Sequence, residues 1–419
     1  MPARRAITGL ACVFATCGLT ALAGASTSHA SPHGGHRARS DLHVTTTGSA
    51  RSRCTRAVPC TFRRANALAA PGTTIHVAPG RYGRVPVLSR AGAPGARVRW
   101  MSDTRWGARL TGPVKLSGAY VDLQGFDVKG GRGNDIVWLA ATATRAIGNR
   151  VHDLRKSCAD PSGGDGIGFD GGAFGWRSRD QEAIRNLVEN IGSGPRDGTC
   201  RRISGIYPDT PGDKVLNNIV RNAAGDGISS WHAARENTIA NNTSLDNGGF
   251  GILNGSGGHG AVQANTDTYT VNNIVAGNFK GAIIEANDFP DEVIEPRGNH
   301  YYDNLLWANG GGDAVLARDP DEVGTVVADP LFRNLAAGDY RVRNGSPALD
   351  TGTSSHAPST SFTGTRRPQA AGFDRGAYER PAPPTTCPSA RLSTPLALFG
   401  SIFVTGGMDR LFCWALLSA

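Results

Sequence analysis

The chain has 419 residues, with 44 Lys and Arg against 35 Asp and Glu, 56 Gly, 39% hydrophobic and 19% charged residues. That balance is too apolar for a disordered chain and too glycine-rich and charge-poor for a coiled coil, so the chain folds. The net charge of +9 is uneven: between Ser31 and Leu110 the only acids are Asp41 and Asp103, and such a basic end either faces solvent or attracts an acidic polymer.

At the start, Arg4 and Arg5 precede an uncharged apolar stretch from Ala6 to Ala25, followed by small residues up to Ala30. This reads as a signal peptide over residues 1–30 and predicts a secreted, extracellular protein. Cys12 and Cys17 leave with it. Cys54, Cys60, Cys158, Cys200, Cys387 and Cys413 remain, an even number that outside the cell predicts disulfides, with Cys54 and Cys60 close enough to shut a small loop. Residues 31–53, rich in Ser, His, Gly and Arg, read as a flexible basic lead-in.

From about residue 146 a unit recurs: an Asn-Asn pair, a β-branched residue, a polar turn, then Gly-Ile. Asn217 to Ile228, Asn241 to Ile252 and Asn272 to Ile283 each span eleven residues, although the pairs themselves are 24 and 31 apart. A constant inner offset at a variable period means stacked coils with loops of changing length. The short Ile- and Val-rich pieces broken by Gly, Asn and Asp are strands and turns, and asparagines stacked at one corner can bond each other in a ladder. Alignment on Ile167, Ile206, Ile228, Ile252 and Ile283 gives five strands. If each Ile points inward, side-chain alternation puts Asp170, Asp209 and Trp231 in one outward column. Beyond Arg380, residues 381–419 form a Pro-rich linker and an unassigned apolar tail. Asp409 and Arg410 interrupt that tail, so no stable membrane insertion is expected.

Over residues 54–380 this organisation resembles the pectate-lyase-like superfamily. The opening is similar in Ala70-Pro71-Gly72-Thr73-Thr74-Ile75 and Val77-Ala78-Pro79-Gly80-Arg81-Tyr82, and the close in Asp329-Pro330-Leu331-Phe332, Ser346-Pro347-Ala348-Leu349-Asp350 and Arg375-Gly376-Ala377-Tyr378-Glu379. The resemblance implies an all-β right-handed single-stranded parallel β-helix acting on a carbohydrate polymer. Two turns are long. Asn149 to Ile167 takes eighteen residues and Asn186 to Ile206 takes twenty, against ten elsewhere, and Cys158 and Cys200 sit in these insertions, which predicts a disulfide pinning two loops beside one strand face.

Strands on adjacent coils lie about 4.8 Å apart, so Asp170 and Asp209 could share a Ca²⁺ with Asp213 or act as a carboxylate pair; Asp165 and Asp226 fall near the same face. Lyases of the resembled family that use Ca²⁺ neutralise a uronate carboxylate with it while Lys or Arg takes the C5 proton. By that resemblance Lys214, beside the acidic column, is the expected proton acceptor. Trp231 offers a platform for a sugar ring, His232 next to it an acid or base, and Tyr207 a proton for a leaving oxygen. The motifs of the polygalacturonase-type hydrolases are out of order here. No phosphate-cradling loop, zinc-spaced cluster or Gly-x-Ser-x-Gly elbow occurs, so nucleotide and nucleic acid are not expected partners. The sequence thus predicts a secreted monomeric lyase for an acidic, uronic-acid-containing polysaccharide. Its rivals are a glycoside hydrolase or uronate C5-epimerase on the same fold, and a non-catalytic carbohydrate-binding surface protein.

Overall fold

The computed structural model describes residues 41–169, 178–232, 234–257, 264–286, 295–318 and 320–382. The predicted signal peptide, the apolar tail and Asp170 therefore lie outside the described residues. Among those described, three parallel sheets of eleven, ten and eight strands, here sheets A, B and C, stack coil upon coil, while a single short α-helix covers Phe62–Leu68. One coil shows the pattern. Lys214–Leu216 lies in sheet A, Ile219–Ala223 in sheet B and Asp226–Ser230 in sheet C. These are the stacked coils expected from the repeat, in the right-handed parallel β-helix that the resemblance implied.

The Gly-Ile segments are the rungs of sheet C. Ile167, Ile206, Ile228, Ile252 and Ile283 pair in register and are fully buried, each worth about 1.5–3 kcal/mol of apolar burial. Glycine precedes four of the five, at Gly166, Gly205, Gly227 and Gly251, because of close approach, while Ala282 precedes Ile283. A Cβ on Gly205 would stand 2.2 Å from Val220 of sheet B, and one on Gly251 2.1 Å from Val275.

The Asn-Asn pairs divide their work. The second member forms a buried ladder, in which the side-chain amide of Asn149 donates to Asn186, and so on through Asn218, Asn242, Asn273 and Asn304 at 3.0–3.1 Å. Each Oδ1 also accepts the backbone N–H of the preceding asparagine, which turns the corner from sheet A to sheet B with its polar groups satisfied. The first member takes left-handed backbone geometry: φ is 54° at Asn217, 55° at Asn241 and 54° at Asn272. Their amides reach outward to the carbonyls of Thr360, Asp374 and Thr353. The C-terminal segment is thereby strapped along the stack, locked by a fully buried Arg367–Glu379 ion pair at 2.6 Å.

Part of the stretch read as lead-in is already β-helix. Asp41–Ser49 pairs in parallel with Thr74–Val77 because Leu42 and Val44 alternate inward, next to Ile75 and Val77. The run of polar residues after Val44 masked that signal. The helix that follows stacks Phe62 on Trp100, ring centroids 5.1 Å apart, and the Cys54–Cys60 disulfide forms as expected. No helix among the described residues is long and apolar enough to cross a membrane.

Candidate functional site

The two insertions leave adjacent coils and are joined by the predicted Cys158–Cys200 disulfide, Cα atoms 5.0 Å apart. The buried Lys156 holds the first loop down through Asn134 at 2.9 Å and Ser162 and Asp160 at 2.7 Å. Together the loops set Pro161, Ser162, Arg201 and Arg202 as a wall beside the outer face of sheet C. Between wall and sheet lies a cleft of about 490 Å³, floored by Asp165, Ser204, Tyr207, Asp226, Ser229, Leu253, Trp231 and His232.

Strand register builds that floor. Asp165, Ser204 and Asp226 form one column at the strand starts, and Asp135 stands one coil earlier in the same file. Each carboxylate accepts a backbone N–H from the next coil: Asp135 from Asp165 at 3.1 Å, Asp165 from Ser204 at 3.1 Å, and Asp226 from Phe250 at 2.7 Å. Burial pushes the Asp165 carboxyl well above the usual range, and the neighbouring Asp135 charge adds to this.

Tyr207 follows the inward Ile206 and faces out. Its hydroxyl is enclosed: burial raises its pKa well above that of a free phenol, and the charges of Asp209, Asp165, Asp135 and Asp226 raise it further. It is therefore a neutral proton donor. The His232 ring stands 6.1 Å away at 74°. Its Nδ1 donates to the Gly257 carbonyl at 3.1 Å, which places the lone pair of the neutral ring on Nε2.

The expected outward column of Asp209 and Trp231 does not form. The strands Ile203–Tyr207 and Asp226–Ser230 end before these residues, so alternation no longer governs them, and they are 6% and 7% exposed. Trp231 packs on Phe250 and Leu253 and over Gly255, where a Cβ would stand 1.6 Å from its ring. It is a packed part of the cleft floor, not an open platform. Asp209 is not among the lining residues.

Lys214 is not there either. It opens a strand of sheet A, half exposed, and ends an alternating ladder of charges: Arg99, Asp122, Arg145, Glu182 and Lys214, with Glu182 3.9 Å from its ammonium. Sequence proximity misled because a turn and a change of sheet separate Lys214 from Tyr207. Asp213 occupies a corner of the polar ladder instead of a metal site. Its Oδ1 accepts from Gln181 N at 3.0 Å and from Thr210 Oγ1 at 2.7 Å, its Oδ2 accepts from Thr210 N at 3.0 Å, and its own N–H donates to Asn237. With both oxygens so engaged, Asp213 turns neither toward a shared Ca²⁺, and Asp170, the third expected ligand, lies outside the described residues.

Asp135, Arg201, Arg202 and Ser204 carried no sequence expectation. One signal existed: Gly-Asp-Gly-Ile at 164–167 and again at 225–228 sets an acid two residues before an inward Ile. The wall arginines depend on loop closure. Replacing Cys158 and Cys200 with serine should lower stability by about 4 kcal/mol in the loop-entropy model, and weaken ligand binding in the cleft while leaving the coil spectrum intact; denaturant melts and far-UV circular dichroism check this.

No protein-family model matches the chain, and no curated protein matches it. Among solved structures it is similar to pectate lyase Pel9A, with a TM-score of 0.54 and 15% identity, covering 81% of this chain and 96% of that one. It is also matched to a rhamnogalacturonan lyase with a TM-score of 0.46 and 13% identity, covering 73% and 93%. At 15% identity, the likeness to pectate lyase Pel9A establishes the shared right-handed parallel β-helix.

Proposed function

We propose that the protein cleaves a uronic-acid-containing polysaccharide by β-elimination in the sheet C cleft. The observation that carries this reading is the convergence, in one cleft, of a protonated Tyr207, the His232 ring and the wall arginines Arg201 and Arg202. The C5 hydrogen of a uronate is weakly acidic, and the carbanion becomes accessible only when the adjoining carboxylate is neutralised. Among the described residues the Arg201 side chain makes no hydrogen bond or ion pair, and the Arg202 side chain bonds only the Pro161 carbonyl, at 2.6 Å. These two guanidiniums supply that neutralisation. His232 accepts the C5 proton at Nε2, the C–H electrons form the C4–C5 double bond, and the C4–O4 bond breaks as Tyr207 donates its proton to the leaving O4, which stays on the neighbouring sugar's anomeric carbon. Proton exchange between imidazolium and tyrosinate restores both groups, and no water is consumed. No step passes through a metal ion. The two disulfides support export to an oxidising compartment.

Incubation with pectate, alginate and glycosaminoglycans tests the reading. Product absorbing in the ultraviolet, from the new double bond, is expected, and Arg201→Ala should raise KM about tenfold for the responsive polymer. Polymers left intact, or cleaved without ultraviolet absorption, overturn it. One observation favours hydrolysis as a second reading: Asp165, with its raised pKa, and Asp226 are two rungs apart, about 9.6 Å, near the spacing of an inverting acid and base pair. New reducing ends without an unsaturated product, lost in Asp226→Asn, mark that outcome.

A further inference from the structure

Sheet C continues toward the N-terminus beyond the cleft. Coil by coil, the outward file containing Tyr207 reads Lys115, Trp138, Gly168, Tyr207. With rungs about 4.8 Å apart, Trp138 stands about 9.6 Å and Lys115 about 14 Å from Tyr207 along the same line. Gly168 has no side chain, and the position its Cβ would take lies 2.8 Å from the Asp135 carboxylate. The file itself thus contributes no side chain between Trp138 and Tyr207, and the Asp135 carboxylate lies over that rung.

The Lys115 ammonium sits 3.3 Å from the centroid of the Trp138 ring, and both side chains are part-exposed. Lys129, Lys156 and Lys214 are each paired with a carboxylate, whereas Lys115 forms no ion pair among the described residues. The ammonium lies over one face of the ring; the opposite indole face suits the C–H face of a pyranose, and the ammonium suits a carboxylate. A neutral sugar needs only the first. One sugar unit advances a chain by about one rung, so a polymer seated at Tyr207 reaches this pair two to three units away.

Resting on the uronate reading of the cleft, we infer that Trp138 and Lys115 form a distal subsite for a uronate two to three sugars from the cleaved bond, making the protein selective for long acidic chains. Calorimetric binding of oligogalacturonates and oligomannuronates of three and six units, beside turnover of the parent polymers, tests this. The wild type should bind the hexamer of the responsive sugar at least tenfold more tightly than the trimer. Trp138→Ala should remove that gain and raise KM for polymer without changing turnover of the trimer, and Lys115→Gln should remove its salt dependence. Thermal melts matching the wild type establish folding, and Lys115→Gln keeps the question open to test if Trp138→Ala fails to fold. If polymer is cleaved yet the length gain survives in both variants, this inference alone falls. If the wild type neither binds nor cleaves any uronate, the cleft reading falls and takes the subsite with it.

Discussion

Tyr207→Phe is expected to cut turnover of the responsive polymer about 10³-fold while leaving KM within a few-fold and the fold intact. The loss is confined to the hydroxyl, since phenylalanine keeps the ring that packs with Trp231, Phe250 and Leu253. Donation to a leaving oxygen contributes roughly 10²–10⁴ in rate, and Tyr207 is the enclosed phenol placed to make it. Its pKa is raised by burial and by four aspartates, so it stays protonated through neutral pH and gives up its proton only to an oxygen that is developing charge. Steady-state kinetics at saturating polymer, following the ultraviolet product, measure this. Turnover within threefold of wild type would remove Tyr207 from the chemistry, and a rise in KM alone would assign it to binding.

Asn242→Ala should destabilise the protein by about 3–5 kcal/mol, one of the largest effects available outside the apolar core. Its Oδ1 accepts the backbone N–H of Asn218 at 2.8 Å and the amide of Asn218 at 3.1 Å. Its own amide donates to the Val215 carbonyl at 2.8 Å and to Asn273 at 3.1 Å. Alanine leaves several fully buried partners without a bond, each costing about 1–3 kcal/mol, partly offset by relaxation. Because stacked coils lend stability to their neighbours, the damage should spread along the ladder. Urea unfolding gives the value, with exposed Asn344→Ala as control; equal midpoints for the two variants would show that the ladder is dispensable.

Much of the architecture could be read in advance because it is a matter of local period. Gly-Ile at a constant offset from Asn-Asn demands that every Ile land on one face, and the buried column from Ile167 to Ile283 follows. The Cys158–Cys200 link was legible for a related reason: two insertions at the same corner of successive coils must be neighbours. The site was read less well. Alternation predicts orientation only within a strand, and Asp209 and Trp231 lie past the strand ends, where Pro208 and the left-handed His232 redirect the chain. Lys214 was placed by closeness in sequence to Asp209, yet a few residues suffice to pass from one sheet to the next.

Period and turn residues were enough to dictate stacked coils with the isoleucines inside and the asparagines at the corners, since each of these is settled by contacts that repeat from one coil to the next, whereas the right hand came from the family resemblance. Which side chains meet across coils was left to the assembled stack. Asp135, Asp165 and Asp226 come from three coils, Arg201 arrives on a pinned loop, and the enclosure that keeps the Tyr207 phenol protonated arises only when all of them surround it, because desolvation and charge coupling depend on distance in space and not along the chain.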